Sequence, residues 1–557
     1  MRVSSIEYRA SPSCRLAALT ATLLCVNAWA ARPPGSEARR LVKAAGVQGG
    51  LVVHLGCGDG RLTAGLRAGE AFVVHGLDTD AGNVAKARSH LRALGLCGPV
   101  SVEAFDGEHL PYADNLVNLI VAETLGSVPM AEVMRVLAPR GVAMIGGHRT
   151  VKPWPDDIDE WTHFLHGPDN NALAEDRAVG PPRHMQWLAG PPWTRHHHAD
   201  KGTNPTIRAV VSARGRLFYM VDEAGTSDMK VPSRWKLAAR DAFSGVLLWK
   251  RPIEVNGSAR RLALVWRTLI ADGDEIYAPL APDQPLRALD AATGAVLRTY
   301  PGTEALREAV KGGNTLFVLC RQHTLLALRA DTGQRLWQWE PPDGEAIVRV
   351  TLAAADGRVF LRTERSALCL SAHDGEPLWR TPLEGPEKKA RLRYPRERLI
   401  VSDGVVLCSH GGTNPKLLNR DRYEYLGSHP RVRAYQGKLA ALSADDGRVL
   451  WRCPYRPGLE SMPGELYASD GTVWLGPDFA RPRDLHTGAV ERTRPVIERL
   501  WTDGHHYRCY PGKATSRYVI TAKRGIEMID LTGTTHARHN WVRGTCRVGV
   551  TPCNGLI

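Results

Sequence analysis

A short glycine-rich stretch near the N-terminus holds the residues whose types and spacing are most suggestive of chemistry. The sequence LVVHLGCGDGRL (residues 51–62) places Gly56, Gly58 and Gly60 two residues apart, between an apolar run and a helical pattern. Glycines at such a strand-to-helix turn let a ligand approach the backbone N–H groups closely. The stretch therefore predicts a cofactor-binding loop that also includes Asp59.

Acidic residues follow at the ends of the next two apolar runs. Asp78 ends AFVVHGLD, where its carboxylate can accept hydrogen bonds from both hydroxyls of a ribose. Asp106 and Gly107 end VSVEAFDG, where Asp106 can meet the edge of an adenine. The pattern assigns no catalytic residue. Glu123 and His148 are candidate bases, each with a structural role as the alternative.

The elements that must position these residues are visible in residues 37–148. Five continuous apolar runs alternate with helical patterns in this part of the chain. Such runs separated by helices are typical of a parallel sheet covered on both faces. Residues 37–148 are therefore predicted to form a Rossmann-like α/β domain.

Four segments in this domain carry a family resemblance: LGCGDG, GLDTD, FDGEHLPYADNLVNLIV and MRVLAPRGV. They resemble the motifs of class I S-adenosylmethionine-dependent methyltransferases. The resemblance implies that the three glycines of the loop bracket the methionine part of S-adenosylmethionine, that Asp78 holds the ribose, and that Asp106 holds the adenine amine. A Rossmann dehydrogenase is the competing interpretation, but its fingerprint is Gly-x-Gly-x-x-Gly, whereas this loop has Gly-x-Gly-x-Gly.

Three features depart from the methyltransferase pattern. His54 stands two residues before the first loop glycine, where the family usually carries Asp or Glu. The segment AETLGSV after the fourth run lacks the Asn/Asp-Pro-Pro-Tyr signature of amine methylation. Pro153 arrives soon after the fifth run, so the elements that usually complete the sheet are expected to be missing. The motifs thus support membership better than activity.

Residues 149–205 are rich in Pro, Trp, Asp and His and are predicted to be an ordered linker or a wrapping arm. Its first polar cluster comprises Asp156, Asp157, Asp159, His163 and His166. Asp159 and His163 could share a helix face at i, i+4, but a capped, solvated helix between Trp154 and Trp161 is the expectation that we favour. Its second cluster comprises His196, His197, His198 and Asp200. Consecutive side chains in a strand point to opposite faces, so no metal site is predicted there.

A repeat of about seven units runs through residues 206–557. Its anchors are turn glycines at Gly245, Gly294, Gly333, Gly375, Gly447, Gly488 and Gly533. Most spacings are about 40 to 50 residues, the period of a four-stranded propeller blade. Trp249, Trp337, Trp379 and Trp451 follow the turn at one offset, which places them in the wedges between blades. The chain ends on a strand-like run, so we expect either a missing C-terminal part or an irregular closure.

The repeats resemble pyrroloquinoline-quinone-type propellers, which include non-catalytic members such as the outer-membrane assembly factor BamB. Quinoprotein dehydrogenases of this kind usually carry adjacent cysteines, and this chain has no Cys-Cys pair, so no quinone or calcium site is predicted. The pairing of a truncated methyltransferase-like module with such a propeller resembles fused proteins of planctomycete-type bacteria.

The N-terminus and the charge bear on the location of the protein. Residues 1–30 combine a basic start, the apolar run LAALTATLLCV and a small-x-small end at Ala30, which predicts a signal peptide. Export to the periplasm is therefore expected, with a cytoplasmic enzyme as the alternative. The net charge of +14 is scattered, which does not favour specific nucleic-acid binding. No later stretch is apolar enough to span a bilayer.

Two functional hypotheses remain open from the sequence. The first is an S-adenosylmethionine-dependent methyltransferase with a propeller that serves as a binding or scaffold domain. The second is a non-catalytic exported propeller that binds protein or glycan partners and carries a degenerate methyltransferase module.

Overall fold

The computed structural model describes the chain from residue 34 to residue 557 with internal gaps. The described ranges are 34–190, 207–224, 232–254, 267–385, 397–411, 437–455, 465–476, 479, 481–491, 510–521, 525–533, 535–545 and 548–557. They belong to two compact units. The first unit ends at Val151 and the second starts at Lys152, except that three residues of the fifth strand, Ala138–Arg140, are grouped with the second unit. The predicted signal peptide and the cluster around His196–His198 and Asp200 lie outside the described residues.

The first unit is an α/β domain built on one sheet. Its helices are α1 (Pro34–Ala45), α2 (Arg61–Leu66), α3 (Ala81–Ala93) and α4 (Met130–Val136). Its strands are β1 (Gly50–Leu55), β2 (Phe72–Asp78), β3 (Val100–Ala104), β4 (Val117–Ala122), β5 (Leu137–Ile145) and β6 (His148–Val151). The strand order is β3-β2-β1-β4-β5-β6, and only β6 runs antiparallel to its neighbour.

The central strands of this sheet are continuous apolar runs because both of their faces are covered. Val52 and Val53 on β1 point to opposite faces and are both fully buried, in two separate apolar clusters. After β5, a turn at Gly146 and Gly147 leads straight into β6, whose residues are all exposed. This turn and the short edge strand alone separate the fifth strand from Lys152, so the domain ends early.

The second unit begins with a two-residue strand, β7 (Leu173–Ala174), and continues into seven sheets that we number as blades 1 to 7. Blade 1 consists of β8 (Ile207–Ala213), β9 (Arg216–Asp222), β10 (Trp235–Asp241) and β11 (Leu247–Pro252), and blade 2 consists of β12 (Ile270–Asp272), β13 (Glu275–Ala278), β14 (Leu286–Asp290) and β15 (Val296–Tyr300). Blade 3 consists of β16 (Leu306–Gly312), β17 (Thr315–Cys320), β18 (Thr324–Arg329) and β19 (Arg335–Trp339). Blade 4 consists of β20 (Ala353–Ala355), β21 (Arg358–Arg362), β22 (Ser366–Ser371) and β23 (Pro377–Pro382).

Blades 5 to 7 complete the ring. Blade 5 consists of β24 (Leu399–Ser402), β25 (Val405–His410), β26 (Gly437–Ser443) and β27 (Val449–Tyr455). Blade 6 consists of β28 (Leu466–Ser469), β29 (Thr472–Leu475) and β30 (Arg483–Asp484). Blade 7 consists of β31 (Lys513–Thr515), β32 (Tyr518–Thr521), β33 (Ile526–Asp530) and β34 (Ala537–His539). First strands of successive blades contact one another, as β12 does with β8 and β16, and so surround a common axis. This unit is a seven-bladed β-propeller.

The tryptophans of the repeat lie between blades, as the sequence predicted. Trp249, Trp337, Trp379 and Trp451 are each 8–9% exposed. Each indole N–H donates to a backbone oxygen of the next blade, over 2.8–3.0 Å. Each ring lies against the turn glycine of that blade. These side chains therefore form blade-to-blade contacts.

The segment from Asp159 to Ala174, which we call the axial strap, crosses the propeller axis without forming a helix. The predicted capped helix between Trp154 and Trp161 is therefore wrong. The physical reason is that backbone oxygens of this stretch accept from residues outside it instead of from the next helical turn, as Asp157 O does from Arg177 N and Asp159 O from Asn554 N. The strap also accepts one hydrogen bond from each blade. Its acceptors for blades 1 to 7, in that order, are Trp161 O, Thr162 O, His163 Nε2, Pro168 O, Asp169 O, Asn171 Oδ1 and Ala172 O, at 2.7–3.2 Å.

The donors to the strap occupy one structural position. Each donor N–H belongs to the next-to-last residue of a first strand: Ser212, Ala271, Lys311, Ala354, Val401, Ala468 and Ala514. A hydrogen bond of this kind contributes about 0.5–1.5 kcal/mol net. Seven of them are comparable with the net stability of a typical domain, about 5–15 kcal/mol.

Closure of the ring is irregular, which is one of the two outcomes that the sequence led us to expect. The seventh blade gains an inner fifth strand, because β31 pairs in parallel with β7 of the strap. The end of the chain also returns to the strap, where Asn554 N donates to Asp159 O over 2.7 Å. Among the described residues, no helix is long and apolar enough to cross a membrane.

Candidate cofactor site and the propeller axis

The glycine loop lies between β1 and α2, at the carboxyl end of the sheet. Gly56 N and Cys57 N both donate to Leu77 O of β2, at 2.8 and 3.1 Å, and Gly58 N donates to Asp78 Oδ2 at 2.9 Å. Gly56 and Gly58 have φ of +73° and +53°. A Cβ added to either residue would meet no atom within 4 Å. The loop therefore faces open space at these two glycines.

Gly60 differs from the other two glycines of the loop. A Cβ added there would lie 2.8 Å from the Cβ of Ala87 on α3. Gly60 also precedes the first residue of α2 and has φ of +81°. It is thus required for close packing between the loop and α3, whereas Gly56 and Gly58 leave room for a ligand.

Asp78 anchors the loop from the end of β2. Its Oδ1 accepts from Asp80 N at 3.0 Å, and Asn83 Nδ2 reaches both carboxylate oxygens at 3.4 Å, in addition to the bond from Gly58 N. Burial by itself raises the pKa of Asp78, but the hydrogen bonds from Asp80, Gly58 and Asn83 outweigh it, so the pKa is lowered. The residue is a buried, ionised carboxylate beside the open side of the loop. The sequence did not single out Asn83, although its position in the first turn of α3 was visible.

His54 occupies the position of the expected acid before the loop. It is buried, and its Nδ1 lies 2.8 Å from Thr63 Oγ1 on α2. Burial lowers the pKa of His54 to about 4, although the charge of Asp78 acts in the opposite direction. A neutral imidazole bonded to α2 therefore replaces a carboxylate here. Thr63 is the partner that sequence reasoning missed.

Asp59 and Asp106 are exposed and take local partners. Asp59 Oδ1 accepts from Arg61 N at 3.0 Å, and the two side chains form an ion pair at 3.1 Å. Asp106 accepts from Glu108 N and His109 N at 2.8 and 2.7 Å and lies 2.9 Å from His109 Nδ1. The bonds from His109 and Glu108 lower the pKa of Asp106 to about 2.

An ion-pair cluster holds the loop that follows Asp106. Arg135 of α4 donates to the backbone oxygens of Tyr112 and Leu110, and Glu132 accepts from Leu110 N at 2.9 Å. Arg135 and Glu132 are themselves paired at 2.6 Å. The sequence shows this arginine only as part of MRVLAPRGV, so its role in placing the loop was missed.

The two candidate bases are exposed at the carboxyl end of the sheet. Glu123 directly follows β4, and His148 begins β6 at the turn after β5. Within the described part of the chain, neither side chain forms a hydrogen bond to the loop of Gly56 and Gly58. Neither residue is thereby assigned to catalysis.

One end of the propeller axis opens into a cavity of about 730 Å³ between the strap and the first-hairpin turns of blades 4 to 6. Its lining includes the carboxylates Asp156, Asp159, Asp169, Glu175, Asp356, Asp403 and Asp470, with His166 and Arg177 as the basic side chains. Asp159 pairs with His166 at 2.7 Å. Within the described ranges, no group of three or more His, Cys, Asp or Glu residues could hold a metal ion.

The quinone implied by the likeness to quinone-type propellers does not fit the axis at the level of the strap. Trp161 is fully buried there, as are Ala172 and Ala174. Asn170 Nδ2 donates to Leu352 O at 2.7 Å, and its Oδ1 accepts from Arg267 at 3.0 Å. The chain's own side chains and backbone thus occupy this section of the axis.

Comparisons with known proteins agree with both architectures. Residues 52–141 match the family described as a methyltransferase domain, and residues 282–455 match the family described as outer membrane protein assembly factor BamB. The outer membrane protein assembly factor BamB of Burkholderia pseudomallei (strain K96243) is 27% identical over 244 residues, 40% of this chain and 56% of that protein. The methyltransferase GfsG of Streptomyces halstedii is 35% identical over 99 residues, 17% of this chain and 36% of that protein.

A solved structure of BamB from Moraxella catarrhalis is 12% identical, with a TM-score of 0.33, and the match covers 56% of this chain and 78% of that one. The chain spans about half or less of the length of the two curated relatives. The matched segments, the parallel sheet and the seven blades lead to one description. The protein joins a methyltransferase-like α/β domain to a BamB-like, seven-bladed β-propeller.

Proposed function

We propose that the α/β domain binds S-adenosylmethionine and acts as a methyltransferase, with the propeller as its binding or scaffold domain. The observation that carries this proposal is the open space beside Gly56 and Gly58, next to the ionised Asp78. S-adenosylmethionine would supply an activated methyl group. The matched methyltransferase family over residues 52–141 supports the assignment.

Each residue of the loop would have a separate task toward the cofactor. Gly56 and Gly58 would let the methionine part approach the backbone, and Gly60 would hold the turn against α3. Asp78 would accept from the ribose hydroxyls while it keeps the bond from Gly58 N. Asp106 would meet the adenine amine, with Gly107 (φ +87°) shaping the turn behind it. Asp59 would flank the loop.

Calorimetric titration of the full chain with S-adenosylmethionine tests the proposal. We expect saturable heat for the wild type and a loss of about 1.5–3 kcal/mol of binding free energy in Asp78→Ala, because bonds to a charged group are lost. Asp80→Asn is the matched control, since it removes one nearby carboxylate charge and retains an oxygen that can cap α3. No saturable heat at millimolar cofactor would eliminate the enzyme hypothesis. Equal binding by Asp78→Ala would eliminate the site assignment.

The alternative is a non-catalytic propeller that is exported and binds protein or glycan partners. The likeness to BamB, an outer membrane protein assembly factor by name, favours a protein partner and an exported location. His54 in place of the usual acid favours a degenerate module. A reporter fused after residue 40 should be cleaved near Ala30 and leave the cytoplasm if the signal functions; an uncleaved cytosolic reporter would favour the cytoplasmic enzyme.

A further inference from the structure

The seam between blade 7 and blade 1 lacks the tryptophan that four of the other seams contain. In blades 1, 3, 4 and 5 a tryptophan stands four residues after the turn glycine, as Trp337 does after Gly333. The same offset from Gly533 in blade 7 falls on Ala537. The outer strand of blade 7 therefore offers only a methyl group at the position that normally packs against the next blade.

Trp187, from the segment just before blade 1, occupies the vacant position. A Cβ added to Gly245 of blade 1 would lie 2.5, 2.6 and 2.7 Å from Cδ2, Cε3 and Cγ of Trp187. The same three atoms of Trp337 lie 2.7, 2.8 and 3.1 Å from the corresponding point at Gly375. The indole is thus placed against Gly245 as the repeat tryptophans are placed against their glycines.

The hydrogen bond of Trp187 is equivalent as well. Its Nε1 donates to Ala242 O over 2.9 Å, and Ala242 lies three residues before Gly245. In the regular seam, Trp337 Nε1 donates over 3.0 Å to Ala372 O, three residues before Gly375. Gln186 adds a bond to Phe243 O at 3.1 Å.

We propose that residues 156–190 form a clasp that closes the propeller ring, in which the axial strap joins the innermost strands of all seven blades and Trp187 replaces the missing tryptophan at the seam between blades 7 and 1. The clasp lies before blade 1 in the chain and does not depend on the proposed methyltransferase function. The four strands β31 to β34 of blade 7 all come from residues 513–539, so the N-terminal part of the chain supplies none of them. The clasp therefore closes the ring by other contacts.

The clasp predicts that its peptide stays in the propeller after it has been cut free. The test uses the full chain with two recognition sites for a specific protease, one between Lys152 and Pro153 and one between Arg195 and His196. After the folded protein is cut at both sites, the clasp peptide is held only by non-covalent contacts. We expect it to co-elute with the propeller in native gel filtration and to separate only in denaturant. Separation in native buffer from a propeller whose melting temperature is unchanged would overturn the proposal.

A pair of adjacent substitutions tests the contribution of Trp187 to the clasp. Trp187→Ala should shorten the residence time of the cut peptide at least tenfold and lower the melting temperature of the uncut protein. Leu188→Ala is the matched control, because Leu188 is 81% exposed and should leave both values unchanged. Equal residence times for the two variants would overturn the assignment of Trp187. Since the protein is cut only after folding, Trp187→Phe serves as the intermediate variant if Trp187→Ala does not accumulate.

Discussion

Glycine has opposite roles in the two units of this protein. In the α/β domain, Gly56 and Gly58 face open space, and a side chain there would contact no protein atom. In the propeller, Gly375 lies under the ring of Trp337, and a Cβ would approach that ring to 2.7 Å. All three residues have positive φ, so the backbone conformation does not distinguish them. The difference lies in the space beside the glycine, which is empty in the α/β domain and is filled by a side chain of the neighbouring blade in the propeller.

The comparison shows that a turn glycine indicates a ligand site only when the space beside it is free. Gly60 illustrates this inside the loop itself, because its neighbour is Ala87 and not open space. Substitutions in the two units should therefore affect different measurements. Trp29 is the only tryptophan before residue 154, so in a chain processed near Ala30 tryptophan fluorescence reports on the propeller unit, while cofactor titration reports on the α/β domain.

The largest expected effect is the loss of a tryptophan between blades. Trp337→Ala should lower the free energy of unfolding of the propeller by about 3–5 kcal/mol, because buried contacts are lost and a cavity remains. Leu336→Ala, at the preceding position, where the residue is 42% exposed, should change this free energy by less than about 1 kcal/mol. Denaturant unfolding followed by fluorescence measures both. Near-native stability of Trp337→Ala would remove the blade-contact assignment.

The next effect concerns the glycine beneath that ring. Gly375→Ala should lower the free energy of unfolding by roughly 2–4 kcal/mol, because a methyl group clashes with Trp337 and the φ of +79° is strained for alanine. In the Trp337→Ala background the clash is absent, so the same substitution should cost only about 1–2 kcal/mol for backbone strain. A double-mutant cycle measures the coupling, and strictly additive effects would contradict the contact.

A pH effect of about 3 kcal/mol or less is expected from the strap. His163 Nε2 accepts from Lys311 N, its Nδ1 lies 2.8 Å from Thr162 Oγ1, and burial lowers its pKa to about 3. Below pH 6.5 the unfolded chain binds a proton that the folded residue does not. The stabilisation is therefore complete above about pH 6.5 and should fall by roughly 3 kcal/mol at pH 4.

His163→Gln should remove that acid-dependent loss, while it lowers stability at pH 7. His184→Gln, at an exposed position, should keep the wild-type pH dependence. Unfolding free energies at pH 7 and pH 4 decide between them. The same slope in His163→Gln as in the wild type would show that another group causes the acid sensitivity.

The smallest effect on stability is expected in the loop of the α/β domain. The methyl group added by Gly58→Ala would contact no protein atom. The free energy of unfolding should therefore fall by only about 1–2 kcal/mol, because the positive φ is strained for alanine. The effect of this substitution on binding should be larger, because the added methyl group enters the space assigned to the cofactor. Calorimetric titration beside a thermal melt checks both. Intact cofactor binding in a stable Gly58→Ala protein would mean that the open space is not the binding site.

Much of the architecture followed from local patterns in the sequence. The continuous apolar runs of residues 37–148 predicted the parallel sheet, because strands buried on both faces must be apolar throughout. The glycine and tryptophan repeat predicted the blades and the place of Trp249 or Trp451, because each blade repeats one local structure. The loop of Gly56 and its anchor Asp78 were visible for the same reason: both stand at the ends of recognisable strands.

Only the tertiary structure decided the path of residues 156–190. Polar groups of the strap bond to strands as far away as Ala468 and Ala514, and such partners leave no period in the sequence. The helix expected before Trp161 does not form because its backbone oxygens accept from Arg177, Asn554 and Ser212, which all lie outside that stretch. Trp187 is a tryptophan outside the repeat, and its role depends on the packing of Gly245. The sequence by itself determined the sheet and the blades, while contacts distant along the chain decided how the ring is closed.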